Sequence, residues 1–205
     1  MTDTTPVRLL VGLGNPGSEY SQTRHNAGFW LIDELIRRLP NSQALGEDSK
    51  FHGRSGQLII GGHSIRLLQP STFMNRSGLS VAALANFYKI APEAILVAHD
   101  ELDIAPGTVR LKIGGGHGGH NGLRDIISSL GNQKYFGRLR IGIGHPGNAK
   151  QVSNFVLKKA PSTEQRWIED SIDEVVRHIE AIVKGDWQLV MNQLHSFNAA
   201  DSDTE

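Results

Sequence analysis

The chain has no cysteine. That excludes disulfides, thiolate nucleophiles and sulfur-ligated zinc, so the fold must stand on its packed core. Nowhere does an apolar run approach the roughly 20 residues that cross a bilayer. Residues 1–6 carry one charged side chain, Asp3, and the apolar stretch after them is too short for the core of a secretion signal. A cytoplasmic protein is the expectation. Two nucleophile signatures are also missing: there is no G-x-S-x-G elbow, and no glycine loop carries the lysine and hydroxyl of a phosphate-binding P-loop. An activated water is then the economical nucleophile for any hydrolysis. Net charge is lacking as well, with 21 basic and 21 acidic side chains.

That balance is global, not local. From Ile104 to Ala160, Arg110, Lys112, Arg124, Lys134, Arg138, Arg140, Lys150, Lys158 and Lys159 face the single acid Asp125, a local net charge of +8. Such a stretch is a footprint for a phosphate-bearing partner, whose binding weakens with salt. A solvated face balanced by acids from elsewhere in the fold accounts for it equally well.

A chain of 205 residues suits one domain. Residues 9–13 read as a buried strand and 27–39 as a helix, with Leu31, Ile32, Leu35, Ile36 and Leu39 on one face and Pro40 ending it. Strands are expected at 57–60 and 64–69 around Gly61-Gly62-His63, and at 95–98, 108–113 and 139–143. Helices are expected at 77–88, at 121–130 with Asn121 as cap, from Pro161-Ser162 through Val183 with a capping-box-like Gln165, and at 187–194. Alternating strands and helices predict an α/β fold: a single domain, 1–198, with a twisted, mixed, mostly parallel sheet and helices on both faces. The acidic tail, 199–205, is expected to be disordered.

Gly12-Leu13-Gly14-Asn15-Pro16-Gly17 matches the dinucleotide fingerprint literally, but Pro16 and the polar loop to His25 delay the helix whose amides would meet a pyrophosphate. A second copy, Gly142 to Gly147, points to plain turn chemistry at two strand ends, with one shared crevice as a possible common role. The run from Gly114 to Gly122 is too glycine-rich for a regular element and opens into a helix, an arrangement that offers backbone amides to an anion or a carbonyl. Its His117 and His120, with His99 or Asp100, define a metal alternative, that of a metal-dependent peptidase. His25 sits at a loop-to-helix junction and Asp100 follows an apolar strand, so the two converge if their strands are parallel neighbours. A histidine held by a carboxylate is the minimal base for activating water. Position alone does not choose among Asp100, Glu101 and Asp103.

GLGNPG around Asn15, RHNAGF around His25, STFMNRSG around Asn75, HDELD around Asp100 and GGGHGGHNGLRD around Asn121 together closely resemble the bacterial peptidyl-tRNA hydrolase family. The five blocks occur in order across residues 7–194. The resemblance implies cleavage of the ester between a peptide and the 3′-terminal ribose of tRNA, recycling tRNA from aborted translation. It implies His25 as the base and Asp100 as its orienting and stabilising partner. Asn15 would distinguish peptidyl from aminoacyl substrates, and Tyr20, Phe73, Asn75 and Asn121 would line the peptide and 3′-end site. Lys112 and Arg140 would contact tRNA phosphates. The same resemblance implies a monomer whose partner is peptidyl-tRNA, with no membrane, metal or organic cofactor. A non-catalytic RNA-binding module is the other alternative.

Overall fold

The computed structural model describes residues 5–40 and 44–203. The first four residues, part of the segment read for a leader, and the last two of the tail lie outside it. Among the described residues seven strands form one sheet, in the order β2-β3-β4-β1-β5-β7-β6. They are β1 (Leu9–Gly12), β2 (Gly46–Asp48), β3 (Gly53–Ile60), β4 (His63–Pro70), β5 (Ile95–Glu101), β6 (Val109–Ile113) and β7 (Gly137–Gly142). The four central strands β4, β1, β5 and β7 run parallel, whereas β2, β3 and β6 join by antiparallel pairing. Central position explains the composition of β1: covered on both faces, LLVG is apolar throughout and wholly buried.

Helices cover both faces, as the strand–helix alternation predicts. On one side α1 (Ala27–Arg38), α5 (Ser162–Arg177), α6 (Ile179–Lys184) and α7 (Trp187–Ser196) pack a core that includes Leu10, Leu31, Leu96, Ile141, Ile172 and Val190. On the other, α2 (Ser77–Phe87) and α3 (Asn121–Ser129) pack Leu9, Val11, Val97, Val81 and Ile126.

The structure departs from several expectations, each for a local reason. The single helix expected through Val183 is two, α5 and α6, divided at His178, and no side chain caps its start. Asn121 is not a cap: it is the first residue of α3, and the preceding His120 caps the helix through its ring. The tail expected to be disordered from Ala199 begins with a 3-10 turn, Ala199–Asp203, because Ala199 is buried and its N–H donates to Gly107 O (2.9 Å). The hairpin turn is tighter than the three residues read, being Gly61-Gly62 with φ of 55° and 81°, a turn that only glycine enters readily at both positions. A five-residue helix, α4 (Val152–Val156), is too short to leave a periodic signal.

Two glycines set the geometry of the site. Leu13 N–H donates to Ala98 O and Phe29 N–H to Leu13 O, so the start of α1 sits directly on the ends of β1 and β5. A Cβ on Gly28 would lie 2.3 Å from Ala98 O, and one on Gly12 would meet the carbonyl of Gly28. Only residues without side chains permit this approach. Gly28→Ala is therefore expected to destabilise the fold by about 1–3 kcal/mol through backbone overpacking. A urea midpoint within error of wild type would show that the contact relaxes freely.

Candidate active site

His25 lies in a short 3-10 turn, Arg24–Asn26, three residues before Gly28, and Asp100 lies two residues after Ala98. The glycine contact thus brings them together at the C-terminal edge of the sheet, where parallel strands leave a crevice. Asp100 is 3% exposed and both its oxygens are 2.9 Å from His25 Nδ1. A second histidine reaches it: His120 Nε2 is 2.9 Å from Asp100 Oδ1.

The partners of each ring fix its tautomer. His120 Nδ1 accepts from Gly122 N–H and Leu123 N–H at the head of α3, so the proton of the neutral ring is on Nε2, which donates to Asp100. An ionised carboxylate only accepts, so His25 directs Nδ1–H at it and its Nε2 carries the lone pair. Burial lowers the basicity of His25, but the charge of Asp100 and the hydrogen bond to it outweigh burial and raise the pKa above its ordinary 6.5. Burial pushes the Asp100 carboxyl up, yet the two histidines hold it well below the usual carboxylate range. The pair is a fixed anion beside a strengthened base.

His99 is turned away from this work. Its Nδ1–H donates to Asp100 O (2.8 Å), and complete burial pushes its pKa down to about 3. It is a neutral packing group. His117 is also committed locally, its Nδ1 accepting from Gly119 N–H. The metal set read from spacing does not assemble. Among the described residues the group whose ligand atoms converge, all within 4.8 Å, is His25, Asp100 and His120. A cation there would have to displace the His120 proton just assigned.

The crevice has a volume of about 430 Å³. Asn15, Phe73, Asn75 and Asn121 line it together with His25 and Asp100, and Ala149, Val152, Val156 and Leu157 supply an apolar wall around α4. Asn15 is held on three sides: its N–H donates to Asn26 Oδ1 (2.9 Å), its carbonyl accepts from Asn26 Nδ2 (3.0 Å), and its Oδ1 accepts from Met74 N–H (2.7 Å). None of these bonds uses the Asn15 Nδ2 amide, and Asn15 lines the crevice. Asn26 was not singled out in the sequence, although it stands beside His25 in RHNAGF; a buried asparagine that clamps another residue's backbone leaves no pattern. Arg24, on the other side of His25, donates to the carbonyls of Phe155, Lys158 and Lys159 and stacks on Phe155 at 4.0 Å, tying the His25 turn to the α4 wall.

Other expected residues are placed less directly. Tyr20 does not line the crevice but supports Phe73 edge to face, with ring centroids 6.2 Å apart. Lys112 is exposed on β6, while Arg140 on β7 is engaged by Glu101 Oε2 at 2.9 Å. Arg138 leaves the basic surface altogether: it is buried, donates to three backbone carbonyls, and burial followed by the charge of Arg140 lowers its pKa to about 10. The second glycine turn does not line the crevice as the first does through Asn15.

A family model described as peptidyl-tRNA hydrolase matches residues 9–202. The proteins named peptidyl-tRNA hydrolase from Saccharophagus degradans and Teredinibacter turnerae are 62% and 60% identical over 195 and 191 residues. These spans cover 95% and 93% of this chain and 98% of each relative. The crystal structure of peptidyl-tRNA hydrolase from Acinetobacter baumannii superposes with a TM-score of 0.90 at 54% identity, covering 94% of this chain and 96% of that one.

Proposed function

The chain belongs to the peptidyl-tRNA hydrolase family, and from that premise we propose that it cleaves the peptide–ribose ester with a water activated by His25. The observation that carries the reading is the Asp100 carboxylate on Nδ1 of His25, which leaves Nε2 as a base at the crevice. Nε2 takes a proton from water as the oxygen attacks the ester carbonyl. Asp100 stabilises the imidazolium so formed. The tetrahedral intermediate then expels the ribose oxygen, which recovers the proton from His25, giving a tRNA hydroxyl and a peptide carboxylic acid that loses its remaining proton to solvent. His120 holds Asp100 in place from the other side.

Asn15 supplies the discrimination. Its Nδ2 donates to the acyl carbonyl that a peptidyl substrate has and a free aminoacyl amine lacks, so an aminoacyl ester leaves a buried donor unpaired. Asn75 and Asn121 bind neutral polar groups of the peptide and 3′ end without adding charge. Phe73, propped by Tyr20, offers an apolar surface. The exposed cations of the β6 side, Lys112 first, meet the phosphates of the tRNA body. In this reading the protein works as a cytoplasmic monomer that returns tRNA from abandoned translation.

The test is ester cleavage of a defined peptidyl-tRNA with and without a chelator. Cleavage that persists at the same rate in both is expected. Loss with chelator would move the reading to metal-dependent hydrolysis, and tRNA binding with an intact ester would reduce the protein to an RNA-binding module.

A further inference from the structure

A second cavity of about 380 Å³ opens on the far side of Asn15. It is within the size range of small-ligand sites, about 300–1,000 Å³. Two segments wall both cavities: the turn after β1, which carries Asn15 and Ser18, and the loop after β4, which carries Ser71 here and Phe73 and Asn75 in the crevice. The floor is a closed polar chain. Buried Gln69 donates from Nε2 to Phe29 O (3.2 Å) and Asp33 Oδ1 (2.8 Å), and its Oε1 accepts from Arg54 Nη1 (3.2 Å). Every group of that amide is paired, so the floor is preformed.

Strand order gives the cavity its place along the site. At the C-terminal edge the sequence of features is the second cavity by β3, β4 and β1, the His25–Asp100 crevice by β1 and β5, and the cation-bearing strands β7 and β6. A substrate whose ester sits at His25 has two arms, and phosphates belong on the β6 side. On that placement the other arm leaves past Asn15, which lines both cavities.

We infer that the second cavity receives the peptide residues upstream of the one esterified to tRNA, an inference that rests on the hydrolase reading above. An extended chain advances about 3.3–3.6 Å per residue, so the residue acylating the first enters beyond Asn15. Trp30 and Pro70 offer it apolar contact, while Asp33 and Arg54 present an acceptor and a donor to its backbone.

The test compares a tetrapeptidyl-tRNA with an N-acetylated single-residue aminoacyl-tRNA. Ser71 is exposed, and its backbone N–H, which donates to His52 O, survives substitution, so Ser71→Trp plugs the cavity at its rim. The ratio of kcat/KM for the long over the short substrate is expected to fall about tenfold, mainly through KM. Arg54→Gln, which loosens the floor without filling the space, is expected to lower the same ratio about threefold. An unchanged ratio in both variants overturns the inference, as does an equal loss on both substrates. Absence of cleavage of either substrate by the wild-type protein would instead overturn the hydrolase reading.

Discussion

His25→Ala is expected to lower kcat for peptidyl-tRNA cleavage by about 10²–10⁴-fold, the range for removal of a positioned general base. KM should move little if, as proposed, surface cations hold the tRNA and the asparagines the peptide. The variant should fold. Asp100 keeps its bond from His120, so its carboxylate is not stranded, and the loss is confined to one charge-assisted contact, about 1.5–3 kcal/mol. Single-turnover release of peptide, measured beside a thermal melt, checks both halves. A folded variant that retains a tenth or more of the wild-type rate would remove His25 as the base.

Asp100→Asn separates orientation from charge. An asparagine at this position accepts through one atom only and must turn its NH2 toward one histidine, favouring the wrong tautomer of His25, with the proton on Nε2. The plateau rate should fall about 10²–10⁴-fold. The pH dependence carries a sign. In the wild type, activity is expected to rise with pH as His25 loses its proton, and because Asp100 raises that pKa above 6.5 the limb should lie on the alkaline side of an ordinary histidine. With the charge gone, burial remains and lowers the pKa, so the limb should move to lower pH as the plateau drops. A pH–rate profile with an unmoved limb and an unchanged plateau would show that Asp100 does not act through His25.

Part of this site was legible from position: His25 at a loop-to-helix junction and an acid after an apolar strand. Asn15, Asn75 and Asn121 read singly as turn or cap residues, and only the resemblance of their blocks assigned them to the crevice they line. The α/β alternation also foretold a mixed sheet with two helical faces. What stayed hidden depends on partners far apart in the chain. His120 was legible as one of several histidines in a glycine loop, but its double task of capping α3 and holding Asp100 exists only once the head of that helix meets the end of β5. Arg138 counted as a surface charge until the fold enclosed it.

By itself the sequence determined the chemistry available: without cysteine or a serine elbow, a histidine, a carboxylate and several asparagines set in glycine-rich turns. Position along the chain left Asp100, Glu101 and Asp103 open, and only the resemblance named Asp100; tertiary structure decided which carboxylate meets the histidine, because the parallel pairing of β1 with β5 and the approach of Gly28 to Ala98 O bring Asp100 onto His25. The reason is the alternation of side chains along a strand: neighbours in sequence point to opposite faces, so a shift of one residue carries a carboxylate away from the base.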